Sequence, residues 1–392
     1  MSYIEKLLQG ATVEWKTLGK VAKIQRGASP RPIAKFITDN KNGVPWIKIG
    51  DTSPNSKYVK GTKQKITPEG AKKSRTLKKG DFIISNSMSF GRPYILDIDG
   101  AIHDGWASIS DFGNKLNADY LYHYLASDNV QNYWLSKINS GSVSNLNADI
   151  IKALQIPIPP LSVQKEIVRI LDTFTELTTE LTTELTARKK QYSYYRDQLL
   201  SFDEGEVEWN TLGEVCSAIS AGGDVPKNSV KGQLNPSDEF PYPIFANATG
   251  TKGLYGYSAK YKIESDAVTI SARGAKVGYH TVREGKFTAI IRLIVLVPDK
   301  SIISTKYLNY VLNMTPISGT KGGIPQLTVP TVKKIKIPVP PKEEQEHIVT
   351  ILDKFDTLTT SISEGLPKEI ALRKKQYEYY RDMLLTFPKA EN

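Results

Sequence analysis

TELTTELTTELT, residues 175–186, is the word Thr-Glu-Leu-Thr written three times without variation. The positions around it show what it belongs to. Apolar or seam positions run Ile167, Ile170, Phe174, Leu177, Leu181, Leu185, Arg188, Tyr192, Tyr195 and Leu199, in steps of three and four. Alternating threes and fours mark the seam of a coiled coil, and consecutive fours are stutters that locally unwind it. The repeat therefore predicts a long helix, entered from the Pro-rich IPIPP (156–160), which cannot itself be helical.

The same text recurs. VEWKTLGKV (13–21) returns as VEWNTLGEV (207–215), and IPIPP as IPVPP (337–341). QKEIVRILDTF (164–174) returns as QEHIVTILDKF (345–355), and RKKQYSYYRDQLLSF (188–202) as RKKQYEYYRDMLLTF (373–387). The second seam runs through Ile348, Ile351, Phe355, Leu358, Ile362, Leu366 and Ile370, with one more step of four. SYIEKLL (2–8) precedes the first VEW much as YYRDQLL (194–200) precedes the second, so the repeat reads as circular.

These spans predict an α+β chain with pseudo-two-fold circular symmetry: a tip at 1–12, mixed blocks at 13–155 and 207–336, and helical spacers at 156–206 and 337–392. The two spacers are expected to pack as long antiparallel coiled-coil helices that separate the blocks. Leu177, Leu181, Leu185, Leu358, Ile362 and Leu366 would form the middle of the seam. Gly365 and Pro367 inside the second helix predict a kink or break. Glu176, Glu180 and Glu184 share a solvated face. Four helical residues add about 6 Å and rotate the far end by about 40°. One base pair adds about 3.4 Å and about 35° of twist. The TELT word is thus suited to set distance and phase between two DNA-reading blocks.

The 392 residues carry net charge +11. Residues 1–155 hold 22 Lys/Arg against 13 Asp/Glu, and residues 207–336 hold 16 against 9. Two separate basic blocks point to a polyanion, with double-stranded DNA first. In the first block VPWIKIGD (44–51), DFIISNS (81–87) and GWASIS (105–110) read as strands, and DYLYHYLAS (119–127) as a helix. In the second, DAVTISA (266–272) and TAIIRLIVLV (288–297) read as strands and TKYLNYVLNM (305–314) as a helix. Loops with DNA-contact chemistry offer Arg26, Ser29 and Arg31; Ser85, Asn86, Ser87, Ser89 and Arg92; Asn247, Thr249 and Lys252; and Ser271, Arg273 and Lys276. Lys48, within VPWIKIGD, is a further candidate for DNA contact. Nine Lys/Arg against one acid lie between Lys57 and Lys79, including Lys72, Lys73 and Arg75, a candidate phosphate-tracking patch.

Catalytic chemistry finds no footing. There is no G-x-x-x-x-G-K-[ST] loop for nucleoside triphosphates, and the four histidines lack metal-ligand spacing. Asp266 with Glu284-Gly285-Lys286 imitates a metal-nuclease pattern but also reads as a polar hairpin turn. Asn235-Pro236-Ser237-Asp238 departs from an adenine-methyltransferase motif at its third position. One cysteine, Cys216, excludes an intramolecular disulfide. With no apolar run long enough for a membrane and no secretory signal, a cytoplasmic location is expected.

IPIPP/IPVPP, the paired QKEIVRILDTF/QEHIVTILDKF and RKKQYxYYRDxLL segments and PWIKIGD resemble the specificity (S) subunit of type I restriction–modification enzymes over essentially the whole chain. The four-residue helical word resembles that of the IC-type subclass. The resemblance implies that each variable block is a target recognition domain reading half of a split DNA site. It also implies that the helices dock two modification (M) subunits, and that a separate motor-nuclease (R) subunit cuts. S-adenosylmethionine, ATP and Mg would then act on partner subunits, with no cofactor, metal or catalysis on this chain. The alternative is a two-headed DNA-binding scaffold or regulator outside restriction.

Overall fold

The computed structural model describes residues 3–53, 56–86, 91–139, 145–203, 205–247, 253–319 and 325–387. The chain forms two compact units, residues 1–181 with 369–392 and residues 182–368. Among the described residues no helix is long and apolar enough to cross a membrane, and no group of three or more His, Cys, Asp or Glu could hold a metal ion.

In the first unit two five-stranded sheets are built from β-branched and aromatic runs. One has the strand order 23–26, 106–110, 82–85, 93–96, 58–59; the other has the order 37–38, 65–66, 44–47, 100–102, 75–77. Strand Val44–Ile47 runs parallel to Gly100–Ile102. The second unit repeats the plan: 216–221, 293–298, 267–271, 280–283 in one sheet and 229–231, 254–258, 242–245, 286–289, 263–264 in the other. Strand Tyr242–Phe245 is likewise parallel to Lys286–Ala289. The strand Tyr58–Val59, parallel to Pro93–Leu96, has no counterpart beside His280–Arg283 among the described residues.

TAIIRLIVLV is not one strand. It divides into Lys286–Ala289 and Leu293–Pro298, which lie in different sheets. The chain crosses between them at 290–292, where Arg292 takes a left-handed φ of 68°. The apolar residues on either side, buried in the two sheets, mask the crossing, where Ile291 and Arg292 are exposed. His103–Gly105 makes the matching crossing in the first unit, between Gly100–Ile102 and Trp106–Ser110.

Each block is closed where it meets the helices. Strand Glu14–Thr17 pairs antiparallel with Gln155–Ile158, and Glu208–Thr211 with Lys336–Val339. The long helices follow: Leu161–Leu199 is continuous over 39 residues, whereas the second stretch is two helices, Lys342–Thr360 and Gly365–Leu385. The expected break thus falls at 361–364. Gly365 has φ +73°, and a Cβ there would lie 2.5 Å from the Thr357 carbonyl oxygen.

Start packs on end in both units, the pairing of antiparallel helices. Ile167 and Leu171 share a core with Leu384 and Tyr377, and Phe174 stacks on Tyr380 at 5.0 Å and 17°. In the second unit Ile348 and Leu352 share a core with Tyr192 and Leu199, and Phe355 stacks on Tyr195 at 5.6 Å and 25°. The predicted middle of the seam needs correction. Ile362 lies in the break and is 88% exposed, and Leu177 is 38% exposed. The Gly-Pro interruption takes Ile362 out of any helical face. Leu181, Leu185 and Leu358 are half-buried, and Leu366 is buried. The tip forms helix Tyr3–Leu8, whose Ile4 and Leu8 join the same core as Leu384 and Leu385.

Three buried side chains fasten each block to its helix. The Gln164 carbonyl accepts from the Asn117 backbone N–H, and its amide donates to Lys115 O and Pro159 O. Gln345 repeats this with Ser304 N–H, Ile302 O and Pro340 O. Tyr120 donates to Pro157 O as Tyr307 does to Pro338 O. Asn117 and Ser304 cap the helices Ala118–Leu125 and Thr305–Met314.

The third fastening differs. His123 Nε2 lies 2.7 Å from Asp172, its Nδ1 lies 3.0 Å from the Tyr377 hydroxyl, and Lys57 bridges Asp119 and Asp172. At the matching place Tyr310 donates to Asp353 at 2.6 Å, with Lys306 paired to the same carboxylate. Burial pushes the His123 imidazole down, against the upward pull of Asp172. Burial alone would raise the Asp172 carboxyl, but the bond to His123 and the Lys57 ammonium hold it below its ordinary value. The pair is therefore neutral imidazole donating to carboxylate.

Candidate nucleic-acid interface

Strand Lys23–Arg26 ends at Gly27, whose N–H donates to Trp106 O. A side chain at Gly27 would collide with the His103 carbonyl. This close approach lays residues 26–31 on the crossing His103–Gly105. Four residues expected to contact DNA converge there on one acid, Asp104. Arg26 Nε donates to its backbone carbonyl at 3.3 Å and Asn86 Nδ2 to the same oxygen at 3.4 Å. Ser29 donates to its carboxylate at 2.9 Å, and the Arg31 guanidinium stands 3.7 Å away with its side chain 86% exposed.

The Ser29 hydrogen bond, helped by Arg31, holds the Asp104 carboxyl below the usual range despite partial burial. His103 is pushed down by burial, and its Nδ1 accepts from Gly105 N–H. Arg26, Asn86, His103, Asp104 and residues 145–149, which lead into helix Ala148–Ala153, line a cleft of about 570 Å³. Asn86 is buried, and its Oδ1 has no hydrogen-bond partner among the described residues. Donors and acceptors therefore stand side by side, the arrangement needed to match the edge of a base. Asp104 carried no sequence signal of its own, because a lone acid in a polar turn looks like surface.

The other candidates scatter. Lys48 is bonded to Gln64, Arg92 and Lys72 are exposed, and Arg75 is half-buried with no partner for its Nε among the described residues. The continuous basic patch needs correction. Lys57 is enclosed by Asp119 and Asp172, Lys73 pairs with Glu69, Lys78 with Asp99 and Lys79 with Asp97. Acids outside the run neutralise Lys57, Lys78 and Lys79, and Glu69 within it pairs with Lys73, so a count along the chain overstated the local charge. Lys60, Lys63 and Lys72 remain on the surface.

In the second unit Asn247 Nδ2 donates to Arg273 O at 2.8 Å, which brings these two candidates together. Lys276 is exposed on the following turn. Ser85 and Ser271 need correction: each ends a central strand opposite Trp106 or Leu293 and is buried, so neither hydroxyl reaches a ligand surface. Ser87, Ser89, Thr249 and Lys252 lie outside the described residues. The Glu284-Gly285-Lys286 segment is not a hairpin turn: it carries the chain from strand His280–Arg283 of one sheet to Lys286–Ala289 of the other, with Gly285 N–H donating to Asp266.

The helix bearing the fourfold word is internally satisfied. Thr175, Thr178, Thr179 and Thr186 each return their hydroxyl to the carbonyl four residues back, and Glu184 pairs with Arg188 at 2.7 Å.

Residues 11–189 and 205–372 match the family described as type I restriction modification DNA specificity domain. The chain is 35% identical over 423 residues to the type I restriction enzyme EcoR124I/EcoR124II specificity subunit of Escherichia coli, covering 100% of this chain and 98% of that one. It is 33% identical over 410 residues to a putative type I restriction enzyme specificity subunit of Haemophilus influenzae, covering 98% of each. Among solved structures, a type I restriction–modification S subunit from M. genitalium superposes with TM-score 0.56 at 17% identity, over 99% of this chain and 100% of that one. A chain from a study of assembly and conformational transition of the type I R-M system gives TM-score 0.59 at 20% identity, over 96% and 98%.

Proposed function

Because the chain belongs to the family of type I restriction–modification DNA specificity subunits, we propose that it recognises a split site on double-stranded DNA, one half by residues 13–155 and the other by residues 207–336. The observation that carries this reading is the repetition of one construction. Each unit holds a two-sheet block, closed by a strand pair on a helix start and a helix end, with donor-bearing loops at the crossing between sheets. Arg26, Arg31, Lys48, Lys72, Arg92, Asn247, Arg273 and Lys276 supply contacts to bases and phosphates.

The helices set the spacer between half-sites and dock two modification subunits in the cytoplasm. Those subunits bring the S-adenosylmethionine chemistry, and motor-nuclease subunits bring ATP, Mg and cleavage. The chain itself is not catalytic.

The test is a genome-wide map of methylated bases in cells making the chain with its modification subunit, repeated after deletion of one fourfold word, Thr179–Thr182. The expected result is a split motif whose spacer shortens while both half-sites persist. An unchanged spacer would refute the ruler, and an absence of chain-dependent methylation would refute the restriction–modification role.

A further inference from the structure

We propose that Asp104 reads a base: its carboxylate accepts a hydrogen bond from the exocyclic amino group of one cytosine or adenine in the major groove of the half-site bound by the first block. The inference rests on the DNA-reading function above and adds the residue and the chemical group it selects.

A surface that binds DNA faces about one negative charge per 1.7 Å of duplex, so an acid on it is repelled unless it meets a donor. The only donors that base pairs present in the major groove are amino groups, N4 of cytosine and N6 of adenine. Asp104 is part-exposed and is surrounded by residues of DNA-contact type. An ionised carboxylate has about four acceptor positions, and Ser29 takes one of them. Arg31 approaches without a close contact and extends into solvent, so it can turn to a phosphate as DNA arrives.

The neighbours fit the same edge. On a G·C pair, guanine O6 and cytosine N4 are bonded to each other and so lie adjacent in the groove. On adenine, N7 and N6 are adjacent. Arg26, whose Nε donates to the Asp104 backbone carbonyl at 3.3 Å, holds its guanidinium beside the acid, so a donor and an acceptor can meet one base-pair edge together. An independent observation marks the cleft as built for a ligand. Asn86 is buried within its wall, and its Oδ1 receives no hydrogen bond among the described residues. Such an atom is costly until a donor reaches it. The matching crossing in the second unit carries exposed Ile291 and Arg292 instead, so the acid belongs to one half-site only.

The competing explanation is a latch, in which Asp104 only fastens residues 26–31 to the crossing. The assembled complex of chain and modification subunits would select its sites from a pool of randomised duplexes, with wild type, Asp104→Asn and Asp104→Ala compared. The expected result is that one position of one half-site loses its preference for cytosine or adenine by on the order of 10- to 100-fold. The other half-site and the spacer stay unchanged, and the wild-type motif shows which base supplies the amino group. Uniform weakening at every sequence would establish the latch and overturn the proposal, as would an unchanged motif.

A second measurement needs no variant to fold. Wild type is titrated with a duplex lacking only that amino group. Loss of affinity supports the proposal, and full affinity at every amino-bearing position overturns it. A wild-type complex that selects no motif would overturn the DNA-reading function itself, a result distinct from either failure of Asp104.

Discussion

Replacing Gln164 by leucine removes both ends of a buried amide that holds three backbone groups. Asn117 N–H loses its acceptor, and Lys115 O and Pro159 O lose their donor. A buried polar group left unsatisfied costs about 1–3 kcal/mol, and three would cost up to about 9 if none relaxed. Relaxation and water entry at the edge of the helix reduce this, and about 3–4 kcal/mol is expected. That is a large share of the roughly 5–15 kcal/mol by which domains are stable. With a urea slope of about 2 kcal/mol per molar, the unfolding midpoint should fall by about 1.5–2 M. The assay can be assigned to one unit, because four of the five tryptophans, Trp15, Trp46, Trp106 and Trp134, lie in the first. Gln164→Leu should move the fluorescence midpoint. The twin change Gln345→Leu should move the far-UV circular dichroism curve while leaving that midpoint nearly in place. A shift below about 0.5 M for Gln164→Leu would refute the reasoning, since the three groups would then have found other partners.

His123→Tyr installs the residue that the second unit uses at the matching place. The folded state holds His123 below its ordinary pKa, so it stabilises the fold above about pH 6.5, and that contribution is lost as the pH falls further. Asp172, also depressed, loses its contribution only below the carboxylate range. The wild-type urea midpoint should therefore fall between pH 7 and pH 5, and that of His123→Tyr should fall less; equal slopes would refute the assignment. Gly365→Ala forces a side chain onto the Thr357 carbonyl at a left-handed φ and should destabilise by about 1–3 kcal/mol in denaturant titrations. Substituting Lys60, Lys63 and Lys72 together by alanine should weaken DNA binding at all sequences alike. The log–log salt slope should fall by about 0.9 for each lysine that pairs with a phosphate, and an unchanged slope would show that these lysines face away from DNA.

The helical frame was legible because duplication printed its signals twice. The Gly365-Pro367 break, the Pro-rich entries and the periodic apolar positions all have local causes. The division of TAIIRLIVLV was not read from the sequence, because its one interruption, Arg292 at the crossing, is equally compatible with a single strand among so many β-branched and apolar neighbours. The candidate interface was half legible. Arg26, Ser29, Arg31 and Asn86 were readable as donor-bearing loop residues, but their convergence on Asp104 depends on pairing between strands about 80 residues apart. The basic run from Lys57 to Lys79 misled for the complementary reason: Asp97, Asp99, Asp119 and Asp172 return from elsewhere in the chain to neutralise it. Gln164 and Gln345 sat in plain view within a repeated segment, yet nothing local distinguishes a buried glutamine from a solvated one.

The strand pairs that close the blocks have a consequence for how such a chain can change. Glu14–Thr17 lies against Gln155–Ile158, and Glu208–Thr211 against Lys336–Val339, so each block leaves the helices and rejoins them at a single doorway. The doorway is sealed by main-chain bonds and by Trp15 opposite Pro157 or Trp209 opposite Pro338, which are nearly the same hardware at both ends. Everything between the two strands can be exchanged as a cassette without disturbing the helices, provided the incoming segment brings a tyrosine for the proline carbonyl, backbone groups for the buried glutamine and a partner for Asp172 or Asp353. A crossover in the repeated VEW and IPxPP text would therefore give a chain that still folds and carries a different reading head.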